Sequence, residues 1–339
     1  MGSGSWSTNV YDAAARYRAA SGTGAFAYSD RVTSSAPRGS WAAHPSLDPK
    51  GIGVRESRDS AEHPTSLAIA VLFDVTGSMR TVPQTLQTKL PELFGLLLRK
   101  GYTEHPQILF GAVGDATCDR VPLQLGQFES DNRMDDDLGN ILLEGGGGGQ
   151  MTESYELALY AMARHTSLDC HDKRGRRGYL FLIGDELPYG MVKADEVYDV
   201  LGDDLPEDIP VTRIVAELRQ KFDVYYILPA GSSYVGNAEV LGTWRKLLGQ
   251  NVIELDDLDA VCETIALTIG LGEEAIDLAE GLDDLADVGS AATASVGKAL
   301  AALDRDRAAV AVTDTPLIDD ADDAHGEDGS TDTTGTTRL

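Results

Sequence analysis

The sequence predicts an α/β protein: a doubly wound, mostly parallel sheet with helices on both faces and one short antiparallel edge strand. Three observations predict it. Leu67-Ala68-Ile69-Ala70-Val71-Leu72-Phe73 is seven apolar residues without alternation, the pattern of a strand buried on both faces. Similar buried runs recur at 107–113, 179–183 and 224–228. Between them, apolar residues fall at helical spacing, so strands alternate with helices, as in βαβ units.

Taken in order, residues 1–65 are rich in Gly, Ser, Ala and Arg and carry Pro37, Pro45, Pro49 and Pro64. They predict an extended N-terminal arm with one short helical piece over 11–20, pinned by Trp6, Phe26, Tyr28 and Trp41; simple disorder is the alternative. A domain follows over 66–270. Its first helix, 85–100, places Leu86, Leu90, Leu93, Leu97 and Leu98 at helical spacing, and Pro91 inside it predicts a bend or a restart. The strand 107–113 runs into Gly114-Asp115, and 121–128 alternates less cleanly, as an edge strand. A short helix over 133–143 precedes the five glycines 145–149, then Gln150-Met151-Thr152-Glu153 and a strong helix to about His165. Residues 170–178 predict a charged loop, whose run Lys173-Arg174-Gly175-Arg176-Arg177 is either solvated or a grip for an acidic partner. The strand 179–183 ends at Gly184-Asp185-Glu186. Helices over 193–200, 211–221, 237–248 and 258–269 and strands over 224–228 and 252–254 complete the domain. From 271 to 312 comes an amphipathic helical extension, with Ile276, Ala279, Leu282 and Leu285 on one stripe and an interruption near Gly289. It packs on its own domain or takes a partner. Residues 313–339 predict a disordered acidic tail.

Composition narrows the function. A net charge of −27 and a pI near 4.4 repel phosphate backbones, which argues against nucleic acid; the acidic excess suits solubility, divalent cations, basic protein surfaces or a salt-rich habitat, which composition alone does not separate. No window approaches the ~18 continuous apolar residues of a membrane span. No basic region followed by an apolar one opens the chain, and Trp6 stands where a myristoylation start needs Ser or Thr. Three sparse cysteines, Cys118, Cys170 and Cys262, suit reduced thiols. A soluble cytoplasmic protein without a membrane partner is expected.

The first strand ends in Asp74-Val75-Thr76-Gly77-Ser78-Met79. A carboxylate and two hydroxyls at i, i+2 and i+4 point at one spot beyond the carboxyl end of the strand, the edge where open α/β sheets bind ligands. One carboxylate and two neutral hydroxyls suit a hard cation such as Mg²⁺, with Mn²⁺ or Ca²⁺ as alternatives. A polar turn in which Thr76 or Ser78 caps the next helix accounts for them equally well. The glycine run is followed by no Lys-Ser or Lys-Thr and is therefore not a P-loop; close backbone approach to the metal edge is the better reading.

Asp74-x-Thr76-x-Ser78, the glycine-rich loop before Thr152, and Asp185 together resemble the metal-ion-dependent adhesion site of the von Willebrand factor type A domain. That site comprises Asp-x-Ser-x-Ser, a Thr in a later loop and an Asp after the fourth strand. Here Thr76 replaces the first Ser, and Gly184-Asp185-Glu186 stands where Thr-Asp-Gly is usual. The stretch 147–159 resembles a Gly-Gly-Gly-Asp-x-x-Glu…Ala-Leu variant, with Gln150 at the Asp position and Thr152 two residues on. The resemblance covers about 66–270. It implies metal ligation by Asp74, Thr76, Ser78, Thr152 and Asp185, with Gln150 the alternative loop ligand. Asp115 and Glu186 would stand behind the site or face a partner.

It also implies a binding module rather than an enzyme. An under-neutralised ion would attract a carboxylate from a protein partner, which in prokaryotic relatives is an AAA+ ATPase or a multiprotein assembly. A haloacid-dehalogenase-like, Mg²⁺-dependent phosphatase is the competing enzyme class. It needs a second carboxylate at position 76, where a hydroxyl does no acid/base work at neutral pH. A zinc site from Cys118, His165, Cys170 and His171 has a spacing that matches no common motif.

Overall fold

The computed structural model describes residues 4–50, 53–79, 81–146, 149–301 and 303. The expected acidic tail lies outside them, as do Gly147 and Gly148 of the glycine run. The N-terminal segment holds helices α1 (Thr8–Ser21) and α2 (Ala27–Ser35) and a strand, β1 (Arg55–Ser57). The domain continues with β2 (Leu67–Asp74), α3 (Val82–Phe94), β3 (Pro106–Val113), β4 (Leu123–Leu125) and α4 (Arg133–Gly139). Next come β5 (Thr152–Glu153), α5 (Tyr155–Arg164), β6 (Thr166–Leu168), α6 (Asp169–Arg174) and β7 (Gly178–Ile183). Short strands β8 (Leu187–Pro188) and β9 (Met191–Val192) precede α7 (Ala194–Val200), β10 (Ile209–Pro210), α8 (Val211–Lys221) and β11 (Phe222–Pro229). The last elements are α9 (Ala238–Leu248), β12 (Val252–Leu255), α10 (Val261–Gly272) and α11 (Leu278–Asp287).

Six strands form the main sheet in the order β12-β11-β7-β2-β3-β4. All neighbours are parallel except β4, which runs antiparallel to β3 at the edge. The run 67–73 is the central strand, as its unbroken apolarity predicts, and every residue of β2 is buried. Its side chains alternate between two cores. Leu67, Ile69, Val71 and Phe73 join residues of α3 and α10, while Ala68, Ala70 and Leu72 join residues of α5, α8 and α9. Asp74 pairs with Val113 of β3, and Phe73 with Ile183 of β7. This register sets Asp74, Asp115 and Asp185 just past three adjacent strand ends.

Three regions differ from expectation. The N-terminal segment holds more helix than expected: α1, capped by Ser7 and ended by Gly22 at φ 67°, covers the helical piece expected over 11–20, and α2 follows it. α2 buries only Ser29, so it lacks the apolar periodicity by which helices are recognised. β1 pairs in parallel with β6. The charged stretch 170–178 is partly helical, with acids opening α6, bases closing it, and Gly175 at φ 64° beyond. That charge order complements the helix dipole, a signal that hydrophobic pattern does not carry.

Pro91 does not restart its helix. α3 runs through it and continues over Gly95–Arg99 as a π-helical turn. Pro91 has no N–H to give the carbonyl of Gln87 one turn earlier. The Tyr11 hydroxyl donates to that carbonyl at 2.8 Å, and Trp6 stacks on Phe94 with ring centroids 4.3 Å apart. The break at Gly289 is present: α11 ends at Asp287, Gly289 has φ 72°, and helix resumes over 293–301. Among the described residues, no helix is long and apolar enough to cross a membrane.

Candidate metal centre

Asp74 ends β2 wholly buried, and its Oδ1 accepts from the backbone N–H of Thr76 at 2.7 Å. That bond folds the chain back, so Thr76 Oγ1 and Ser78 Oγ lie 3.1 Å apart. Ser78 Oγ donates to Asp185 Oδ1 at 2.7 Å, and Asp185 Oδ2 accepts from the N–H of Tyr234 at 3.0 Å. The glycine-rich loop closes over this turn through its backbone. Gly77 N–H donates to the carbonyl of Gly146 at 2.9 Å, and Gly145 N–H to that of Val75 at 3.2 Å. A Cβ on Gly77 would stand 3.4 Å from the Gly145 carbonyl. That is ordinary van der Waals contact, so the glycine this crossing calls for is Gly145, whose φ of 63° is one that other residues rarely adopt.

Tyr155 was not legible as a site residue. Its hydroxyl donates to Asp74 Oδ2 at 2.9 Å from the first turn of α5, and its ring meets Tyr226 and Trp244 edge-on. A side chain at Gly184 would overlap the Tyr155 hydroxyl.

The loop residues divide. Thr152 is half-buried in β5 opposite Leu187, with its hydroxyl outside the hydrogen-bonded group around Asp74. Gln150 Nε2 donates to Asp115 Oδ2 at 2.6 Å. Asp115 also accepts from Thr117 and Tyr189, so these residues form a separate cluster beside the first. Glu153, next in β5, is the unforeseen member. Strand alternation turns it away from Thr152, and it is 1% exposed. Ligand oxygens of Asp74, Glu153 and Glu186 all lie within 4.8 Å of one another. The one available signal was the Glu of the Gly-Gly-Gly-Asp-x-x-Glu pattern, which falls on Glu153. Glu186 is held by its backbone, whose carbonyl accepts from Trp244 Nε1 at 2.9 Å and Tyr226 Oη at 3.2 Å.

The electrostatics are one-sided. Asp74, Asp115, Glu153, Glu156, Asp185 and Glu186 are all buried. Among the described residues, none of them forms an ion pair with Lys, Arg or His. Burial drives the Asp74 carboxyl up against the hydrogen bonds from Thr76, and the charge of Asp185 pushes the same way. Glu153 is raised by burial and then by the charge of Asp74 and its contact with Glu186. Burial raises Glu186 as well. Buried carboxylates of this kind need a proton or a cation. The donor set fits a hard divalent ion: carboxylate and hydroxyl oxygens only, with Glu153 Oε2 and Glu186 Oε2 buried and without hydrogen-bond partners. The residues whose ligand atoms converge closely enough to hold such an ion are Asp74, Glu153 and Glu186; Thr76, Ser78 and Asp185 are joined by hydrogen bonds beside Asp74.

The zinc alternative is not assembled. His165 commits its ring nitrogens to the Gly53 carbonyl at 2.6 Å and to Asp203 at 2.7 Å, while Cys118 leans on Asp115.

No protein-family model matches this chain, and no curated protein does. Among solved structures, the pilus adhesin SpaC from Lactobacillus rhamnosus GG is similar with a TM-score of 0.43 and 10% identity, over 65% of this chain and 32% of that one. Proximal thread matrix protein 1 from the mussel byssus is similar with a TM-score of 0.40 and 11% identity, over 60% and 47% of the two chains. The match spans less than half the length of either.

Proposed function

We propose that this chain is a divalent-metal-dependent protein-interaction module of the von Willebrand factor type A kind, with a doubly wound sheet. Asp74, Thr76, Ser78 and Asp185 hold Mg²⁺, or Mn²⁺ or Ca²⁺ in its place. One observation carries this reading: Asp74, Thr76 and Ser78 of one turn and Asp185, 107 residues beyond Ser78, join in one run of hydrogen bonds at the carboxyl end of β2 and β7. No basic side chain among the described residues competes there for the carboxylates. Ser78 is partly exposed while Asp74 is sealed, so a partner meets the ion from the Ser78 side. The ion supplies an electrostatic anchor for a carboxylate of a protein partner, of the class formed by AAA+ ATPases and multiprotein assemblies.

Calorimetric titration of Mg²⁺ and Mn²⁺ into wild type and Asp74→Ala, run beside a phosphatase assay, tests this. Binding that is lost in the variant, without turnover, is the expected result, and partner capture should then fail in chelator. Metal-dependent phosphate release lost in the variant would assign the site to phosphoryl chemistry. Absence of binding in wild type would reduce the motif to a capped turn.

A further inference from the structure

We propose that Glu153 and Glu186, with Asp74, take the cation directly from the buried side of the site, so that the ion is held before any partner arrives. The inference rests on the reading of this edge as a cation site and identifies which side chains retain the ion.

The hydrogen-bond inventory separates the candidate ligands. Both oxygens of Asp185 are engaged, by Ser78 and the Tyr234 N–H, and Ser78 and Thr76 face each other. These groups satisfy one another without an ion. Glu153 and Glu186 find only each other: their side chains are in hydrogen-bond contact, a contact between two carboxyls that needs a proton or a cation between them, and the Oε2 of each is buried without an N–H or O–H donor, the residues being 1% and 5% exposed. Leaving a buried charged oxygen unpaired is among the costlier faults a fold can carry. Both carboxylates converge with Asp74 within 4.8 Å, a separation that one ion with oxygen ligands at about 2.0–2.6 Å bridges. Asp74 already accepts one bond at each oxygen, yet a carboxylate oxygen has a second lone pair for a metal.

The two glutamates are also fixed in place. Glu153 lies in β5, which pairs in parallel with β8 just after Glu186. The Glu186 backbone is pinned by Tyr226 and Trp244, which stack at 4.1 Å. Two acceptors held face to face by separate parts of the scaffold are preorganised for a cation. Three carboxylates compensate a doubly charged ion from within, so metal binding does not require the partner's carboxylate, which adds only from the Ser78 side. A carboxylate-rich cage of this kind favours Mn²⁺ or Ca²⁺ over Mg²⁺, which prefers to keep several waters.

The test uses the full chain and the metal alone. Mn²⁺ is titrated by calorimetry into wild type, Glu153→Gln, Glu186→Gln and Ser78→Ala, and thermal unfolding of each is followed in chelator and in Mn²⁺. Each glutamine variant is expected to weaken Mn²⁺ at least about 10- to 100-fold, to lose the metal-induced rise in Tm, and to melt no lower than wild type in chelator. Ser78→Ala should weaken Mn²⁺ less. Glu186→Asp, which keeps the charge but shortens the reach, serves if a glutamine variant does not fold, and should weaken Mn²⁺ as well. Wild-type affinity in the glutamate variants, with loss in Ser78→Ala, would overturn this inference and leave the proposed function standing. No Mn²⁺ binding by wild type would overturn both.

Discussion

The two ends of β2 both gather acidic residues, and they treat them in opposite ways. At the amino end Asp59 accepts from Ser66 N–H and Oγ, from Arg174 at 2.7 and 3.1 Å, and from Lys173. Its neighbour Asp169 accepts from Arg58 at 2.9 Å and Lys173 at 2.6 Å. Arg174 also bonds the Ser66 carbonyl, one residue before the strand begins. At the carboxyl end, six buried acids have no ion pair among the described residues. The first end shows that this chain pairs its acids when they serve as fasteners. At the second end that pairing is absent, and the acids lean on hydroxyl and N–H donors and on one another instead. The basic run 173–177, weighed in sequence as a grip for an acidic partner, instead holds the chain's own acids: Arg176 meets Glu273, and Arg177 meets Asp223 at 2.8 Å.

Four variants break or sharpen this contrast. The largest effect is expected from Gly184→Ala, which drives a methyl group into the Tyr155 hydroxyl. It should cost about 2–4 kcal/mol in urea unfolding, from overpacking plus the lost bond to Asp74. Asp59→Asn breaks the paired end and should cost about 1–2 kcal/mol near neutral pH, allowing for solvent screening. Burial pushes the Asp59 carboxyl up, but the bonds from Arg174, Ser66 and Lys173 outweigh it and hold the group below the usual carboxylate range. A depressed carboxyl contributes its stability above the unfolded value and loses it as pH falls. The gap between wild type and Asp59→Asn should therefore be full at pH 7 and narrow below about pH 4; a gap unchanged in acid would mean the clamp is not ionic. Tyr155→Phe removes a neutral donor from the unpaired end and should cost about 1 kcal/mol in chelator. Tyr11→Phe, distant from both ends, should cost about 0.5–1 kcal/mol by the same measurement.

Much of the sheet was legible because buried parallel strands write themselves as apolar runs. 67–73 and 179–183 needed little else, and the antiparallel edge near 121–128 showed in its weaker alternation. The elements missed are those whose stability does not come from an apolar stripe. α6 is ordered by charge and a terminal glycine, and α2 buries one side chain. At the site, the local spacing of Asp74, Thr76 and Ser78 was visible because one turn holds all three. Glu153 was hidden by a parity effect: in a two-residue strand, the hydroxyl of Thr152 and the carboxylate of Glu153 face opposite ways, and the hydroxyl attracted attention. Tyr155 could not be singled out, since its bond to Asp74 spans 81 residues.

The proline inside α3 also bears on what the N-terminal segment does. The helix that lines one face of the sheet has a carbonyl that it cannot satisfy itself, and the missing proton comes from Tyr11, with Trp6 covering Phe94 alongside. The Asn132 side chain clasps the backbone of Ser7, its Oδ1 accepting from the Ser7 N–H at 2.9 Å and its Nδ2 donating to the Ser7 carbonyl at 3.0 Å, and Arg18 reaches Asp135 at 2.9 Å. A chain begun at residue 66, the boundary that composition suggests, would present a bare peptide oxygen and an uncovered aromatic ring to water. Residues 6–18 thus pack as part of the surface of the domain, closing a gap that α3 leaves in its own backbone.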